Sequence, residues 1–338
     1  MANRKKPLVE LFVKAATTDK REKGACLIGQ QWFMTLYNLV EQGLIDLRFT
    51  PMSLELPPHN YVRLNAARHL PIAWIESGYI HGKDQSGQII TSTDGLEVLM
   101  EKLGSPNLDP QVEPADVLRA EEVFEDLYIN LMNFIRNNNY KPLLNTLSKL
   151  DSYLAQKAHP YLLGERLTYP DCQLMPKLQH VRVAGRAYKD FDIPEDLIYL
   201  WAYIGRMYHT KAFTCSCPSD RDILVHYAEK DPLPRSIRLS LLGPEFLCEL
   251  PATLAKSSIV NAMRRFSVMI IDVFKATAHN CTMLALLRHL EQTFGKELAS
   301  YKPADLMDCV DDVNSDVVVH VLCDVKKALH FGGKRHLL

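Results

Sequence analysis

The sequence predicts an α/β domain followed by an all-α domain and a helical extension, on three observations. Apolar residues over 8–103 switch repeatedly between a period of two and a period of 3.6, the mark of alternating strands and helices. A run rich in Gly, Pro, Asn and Asp, from Gly104 to Pro114, then interrupts the pattern as a linker would. Beyond it the apolar spacing is helical almost throughout. Domain boundaries follow at 1–103, 115–231 and 232–338.

Leu8 to Ala15 alternates, with Val9, Leu11 and Val13 on one face, and reads as a strand. From Cys26 the spacing turns helical: Ile28, Trp32, Leu36, Leu39 and Val40 form a single stripe, expected to be buried, and the helix ends near Gly43. Ile45, Leu47 and Phe49 alternate again, and a right-handed crossover makes this second strand parallel to the first. A short helix is expected over His59 to Arg68. The third strand, His69 to Ile75, is entered through Pro71. A long hairpin with Gly78, Gly82 and Gly87 leads to a fourth at Gln88 to Ile90, and Asp94 to Leu103 closes the domain as a helix. This order, βαβ then αββα, is the thioredoxin-type plan. Helices are expected at Ala115 to Arg136, Pro142 to Ala158, Pro170 to Ala187, Leu197 to His209 and Asp220 to Glu229. Three more lie in the extension, around Ile259 to Thr277, Thr282 to Leu298 and Ala304 to Leu329.

Charge excludes some function classes. With 39 Lys plus Arg against 40 Asp plus Glu there is no global field to draw in nucleic acid, and no basic stripe with interleaved aromatics occurs. Eight cysteines, at 26, 172, 215, 217, 248, 281, 309 and 323, are scattered through a chain long enough to fold without staples, which suits a reducing cytoplasm. The N-terminal residues lack the apolar run of a secretory leader, so export is not expected.

The candidate chemistry centres on Cys26. A thiol at a helix start meets unpaired amides and the positive end of the dipole, which favour the thiolate; the alternative is a buried, inert cysteine. A dithiol enzyme would carry its second Cys three residues on, where Gly29 stands, so only monothiol chemistry is open. Pro71 occupies the place where thioredoxin-type folds put a cis proline, or is an ordinary strand-entry proline. Thr93 and Asp94 open the last helix of the domain and serve as its cap or as an acid facing a ligand. Thr168 and Asp171 fit a capping box with Pro170 inside the first turn. Cys215 and Cys217 are too closely spaced, and too alone, for a metal site, and no metal is expected.

These residues carry a family likeness. The chain resembles the chloride intracellular channel proteins, particularly invertebrate members, in Glu10 to Ala15, in Lys23-Gly24-Ala25-Cys26 with Phe33-Met34 downstream, in Leu70-Pro71 and in Thr93-Asp94. In the second domain the likeness rests on Tyr161 to Gly164, Leu167-Thr168, Asp171-Cys172, Leu174 to Leu178, Phe191 to Pro194, Leu200-Trp201 and Ser216 to Pro218. It implies a glutathione-transferase-type fold and a glutaredoxin-like site. Cys26 would be its redox thiol, and Leu70, Pro71, Thr93 and Asp94 would join Cys26 in binding glutathione. It also implies a soluble monomer that associates conditionally with intracellular or plasma membranes, oligomerises there and conducts chloride. The alternatives are a soluble glutathione-dependent monothiol oxidoreductase and a non-catalytic scaffold for protein partners. Against the family pattern, the Glu76 to Gln88 hairpin is longer, with an expected effect on the mouth of the site, and the extension has no counterpart.

The family's membrane segment falls on Cys26 to Phe49 and includes Trp32, Leu36 and Val40. As a helix these 24 residues would reach about 36 Å against a hydrocarbon core of about 30 Å. The ten Leu, Ile, Val and Phe residues contribute roughly −3 to −6 kcal/mol, while Glu41, Asp46 and Arg48 each cost about 2.5 to 3.5 near the bilayer centre. Insertion is therefore expected to be promoted by acid, and the N-terminal domain to be the less stable of the two.

Overall fold

The computed structural model describes residues 6–17, 19–66, 69–105, 113–157 and 159–228, with 248, 250, 251 and 254. All elements below belong to the compact unit Met1–Pro251; the extension helices expected between 259 and 329 lie outside the described residues.

The N-terminal domain runs β1 (Leu8–Lys14), α1 (Leu27–Glu41), β2 (Asp46–Met52), α2 (His59–Leu64), β3 (Ile72–Ser77), β4 (Tyr79–Ile80), β5 (Lys83–Asp84), β6 (Ile89–Ile90) and α3 (Thr93–Leu103). Its four-stranded sheet has the order β2-β1-β3-β6. β1 is parallel to β2, with Leu11 opposite Phe49, and antiparallel to β3, with Phe12 opposite Ile72. The expected thioredoxin-type plan is the observed one.

As the central strand, β1 is buried on both faces, which accounts for its near-continuous apolar run. Val9, Leu11 and Val13 pack with Trp32, Leu36 and Leu39 of α1 and Leu96 and Leu99 of α3. The other face joins Phe12 and Ile72 to Tyr61 of α2, with the Phe12 and Tyr61 rings edge to face at 5.3 Å. Burial on this scale contributes about 1.5–3 kcal/mol per large side chain.

Three expectations for this domain need correction. Ile28 is 50 % exposed and Val40 only half-buried, so the buried stripe of α1 is Trp32, Leu36 and Leu39 with Phe33 and Met34. α2 stops at Leu64 because Asn65 takes the left-handed conformation that ends helices. The 76–88 hairpin, with His81 and Gly82 at positive φ in its turn, follows the C-terminal end of β3 beside Pro7 and Leu8. That is the end of the sheet remote from Cys26, so the hairpin does not shape the site's mouth.

The helical domain comprises α4 (Pro114–Phe124), α5 (Leu127–Asn137), α6 (Lys141–Lys157), α7 (Tyr169–Lys189), α8 (Ile198–Tyr208), α9 (Lys211–Ser216) and α10 (Asp220–Ala228). The single helix expected over 115–136 is two, divided at Glu125 and Asp126. Its buried residues Ala120, Phe124, Leu127 and Leu131 keep one spacing across the break, so the periodicity hides it. α9 was not anticipated; the Thr210 hydroxyl caps it by accepting from the Phe213 N–H at 3.3 Å.

At the start of α7 the Asp171 carboxylate accepts from Thr168 N at 2.8 Å, Thr168 Oγ1 at 2.5 Å, Leu162 N at 3.0 Å and the Tyr203 hydroxyl at 3.0 Å. Asp171 is fully buried, which raises its carboxyl, and the four donors oppose that rise. The capping box is thus also the junction of α7, α8 and the loop before them.

Candidate functional site

Three segments meet at one end of the sheet. The loop before α1 is tied to the end of β1: Gly24 N donates to Lys14 O at 2.8 Å, and Ala15 bridges Lys23. A Cβ on Gly24 would stand 2.6 Å from Ala15 O, so only glycine permits that approach. Cys26 follows as the N-cap of α1, extended and half-exposed, and its carbonyl accepts from Gln30 N at 2.9 Å. The Leu70–Pro71 bond is cis and enters β3 next to the Phe12–Ile72 pair. β6 runs antiparallel to β3, with Ile90 opposite Ala73, which returns Thr93 and Asp94 to the same end. His69 Nε2 lies 2.8 Å from Thr91 O and links the second segment to the third.

Cys26, Leu70, Pro71, Thr93 and Asp94 are therefore gathered on one edge, with Pro71 buried, Leu70 and Thr93 half-buried and Asp94 exposed. The α3 cap is neither Thr93 nor Asp94. Ser92 Oγ accepts from Gly95 N at 3.2 Å and fills that role, which leaves the Asp94 carboxylate in the first turn without a capping duty. The sequence reading missed Ser92 because three adjacent residues, Ser92, Thr93 and Asp94, are all good caps. Ile28 was also missed: an exposed apolar side chain two residues past Cys26, hidden by the helical spacing that assigned it to the core.

Beside the thiol, a Cβ at Gly29 would lie 3.5 Å from Cys26 Cβ and 3.6 Å from Val13 Cβ, ordinary contact distances. Glycine here leaves open a space that a serine or cysteine would occupy.

The back of α1 rests on the helical domain through specific polar contacts. Gln30 Nε2 donates to Ser216 Oγ at 3.3 Å, Gln31 Nε2 to the Tyr169 hydroxyl at 2.8 Å, and Asn38 Nδ2 to Leu167 O at 3.2 Å. Thr17 N donates to Asp222 Oδ1 at 3.1 Å. On β2, Arg48 Nη1 lies 2.5 Å from Glu76 Oε2 and 3.5 Å from Glu10 Oε2; Glu10, buried on β1, also accepts from Thr50 Oγ1 at 2.7 Å and Asn60 Nδ2 at 2.8 Å. Trp32, Leu36, Val40 and Phe49 are thus spread over a helix and a strand. Among the described residues no helix is long and apolar enough to cross a membrane, and no group of three His, Cys, Asp or Glu side chains is placed to hold a metal ion.

Comparison with known proteins bears on the same regions. Residues 133–206 match the family described as glutathione S-transferase, C-terminal domain. The chain is 34 % identical over 255 residues to the Drosophila melanogaster protein named Chloride intracellular channel Clic, covering 74 % of this chain and 92 % of that one. It is 32 % identical over 268 residues to the Caenorhabditis elegans protein named Chloride intracellular channel exc-4, covering 71 % and 86 %. The crystal structure of the latter species' CLIC homologue EXC-4 superposes with a TM-score of 0.65 at 31 % identity, over 76 % of this chain and 99 % of that one. A Chlamydomonas reinhardtii dehydroascorbate reductase shares the fold, with a TM-score of 0.52 at 17 % identity, 65 % of this chain and 97 % of that one. With a glutathione-transferase-type fold and two relatives above 30 % identity across most of their length, this chain belongs to the chloride intracellular channel family.

Proposed function

We propose that this family member has two states: a soluble monomer that takes glutathione at the Cys26 edge, and a membrane form in which the 26–49 segment enters the bilayer and an oligomer conducts chloride. The observation that carries the reading is the gathering of a helix-start cysteine, a cis proline and an exposed, non-capping acid at one end of a thioredoxin-type sheet.

Glutathione fits what this edge offers. Asp94 presents a carboxylate to the peptide's ammonium group, the backbone around Leu70 and Pro71 presents extended chain for peptide pairing, and Ile28 with the Gly29 space flanks the thiol. As a thiolate, Cys26 attacks one sulfur of glutathione disulfide; a Cys26–glutathione disulfide forms and one glutathione thiolate leaves. Gly29 provides no internal thiol to resolve it, so release needs a second glutathione. A monothiol oxidoreductase is the second reading, and the Gly29 space is the observation that favours it.

For the membrane form, α1 must give up its bonds to Ser216, Tyr169 and Leu167, and β2 its link from Arg48 to Glu76. The last is half-exposed and is worth about 0–1 kcal/mol, so the α1 contacts are the greater restraint. Acid favours the change because carboxylate charge is costly near the bilayer centre.

The test pairs two assays on wild type and Cys26→Ala: mass-detected glutathionylation with glutathione disulfide, and chloride efflux from anionic vesicles. The proposal expects glutathionylation confined to wild type and efflux from both. Unmodified Cys26 would remove the glutathione site, and absence of efflux at any pH would remove the channel.

A further inference from the structure

The ladder that joins the second and third segments of the Cys26 edge is short. β3 and β6 pair at Ala73 opposite Ile90 and at Trp74 opposite Ile89. Continued towards the site, that register sets Pro71 opposite Ser92, and proline has no N–H to donate. A side chain makes the link there instead. His69 Nε2 donates to Thr91 O at 2.8 Å, a carbonyl that can only accept.

Both ends of this bond are anchored. On one side, His69 O faces the Tyr61 hydroxyl at 3.4 Å, and the buried Tyr61 ring packs edge to face on Phe12 of β1. On the other side, Thr91 precedes the Ser92 cap, whose hydroxyl accepts from Gly95 N at 3.2 Å and whose carbonyl accepts from Leu96 N at 3.1 Å. A Cβ on Gly95 would stand 3.1 Å from Ile90 Cγ2, so the first turn of α3 lies close on β6. Asp94 belongs to that turn. The His69 side chain is exposed, so the core does not depend on the imidazole for packing.

The geometry points to His69 as a positioning residue that sets the span between the Leu70–Pro71 backbone and the Asp94 carboxylate, and so makes the edge selective for a peptide with an ammonium group at that distance. The inference rests on the glutathione reading of this edge and adds a determinant of its selectivity. Without the imidazole, the start of α3 loses its side-chain tie to the cis-proline segment. Cys26 keeps its place, because it is carried by α1 and by the loop that Gly24 ties to Lys14. Loss of His69 therefore acts on recognition of the ligand and leaves the thiol's intrinsic reactivity alone.

Two disulfides separate these effects in the full-length chain: glutathione disulfide, and hydroxyethyl disulfide, which has neither ammonium nor peptide. The rate of adduct formation is followed by the mass of the Cys26 peptide. His69→Ala is expected to slow the reaction with glutathione disulfide about three- to ten-fold and to leave the reaction with hydroxyethyl disulfide unchanged. His69→Gln, which keeps a donor at the same reach, is expected to restore the rate. In an Asp94→Asn background His69→Ala is expected to add little, because it acts through that carboxylate. Equal slowing with both disulfides, or a wild-type rate with glutathione disulfide in His69→Ala, would overturn the positioning role while the glutathione site stands. Wild type that reacts with hydroxyethyl disulfide and not with glutathione disulfide would remove the site itself, and this inference with it.

Discussion

At Gly29 a missing side chain decides what the neighbouring thiol can do. Its position three residues past Cys26 removes the dithiol option, and the structure adds that a Cβ there would lie 3.5 Å from Cys26 Cβ, within the range found across disulfides. Gly29→Cys is therefore expected to close a disulfide with Cys26 on mild oxidation, seen as the loss of two titratable thiols relative to the reduced variant. Gly29→Ala, in ordinary contact with Val13, is expected to raise stability by about 0.5–1 kcal/mol in a urea melt. Asp171 is the opposite case, a side chain that cannot be spared. Removing its carboxylate strands the Leu162 and Thr168 amides and the Tyr203 hydroxyl, so Asp171→Ala is expected to cost about 3 kcal/mol or more by the same measurement. Asp171 was legible in the sequence because capping has a fixed spacing. Its bonds to Leu162 and Tyr203 were not, since they come from residues 9 and 32 positions away.

Among the elements, α1 is fully legible in extent and partly misread in orientation. Spacing alone could not show that the first turn projects Ile28 into the open while Gln30, Gln31 and Asn38 reach the helical domain. Those three bonds suggest a direct test of docking: the combined Gln30→Ala, Gln31→Ala and Asn38→Ala variant is expected to associate with anionic vesicles several-fold faster than wild type. Unchanged rates would mean the contacts do not restrain the helix. α7, which packs against α1, carries a titrating group of its own. His180 is buried with Nδ1 2.9 Å from the Tyr227 hydroxyl, and burial, then the neighbouring His226, lower it from 6.5 to about 3. A histidine depressed in the fold keeps its full contribution above its unfolded value and loses it as pH falls from about 6.5 towards about 3. Between pH 7 and about pH 5 this weakens the domain by about 2 kcal/mol. His180→Gln is expected to flatten the pH dependence of the urea midpoint over that interval.

For the whole molecule, the division into an α/β and an all-helical domain was visible from periodicity and the linker, because each domain buries its own apolar faces. The gathering of Cys26, Pro71 and Asp94 followed from the βαβ–αββα order. The hairpin's position at the opposite end of the sheet required the strand register, which no local spacing encodes. Acid sensitivity also looks different at this scale: behind the segment proposed to enter the bilayer the structure places His180 on α7, so in the proposed switch acid loosens the support of that segment as well. The proposed switch takes α1 from its place on the sheet into the bilayer. It is tested most directly by quenching of Trp32, which is 1 % exposed in the fold, with lipids brominated along their acyl chains, taking the difference between wild type and Trp32→Phe. Strong Trp32-dependent quenching is expected at about pH 5 and little at about pH 7.5. Chloride efflux at about pH 5 with no Trp32-dependent quenching would contradict it.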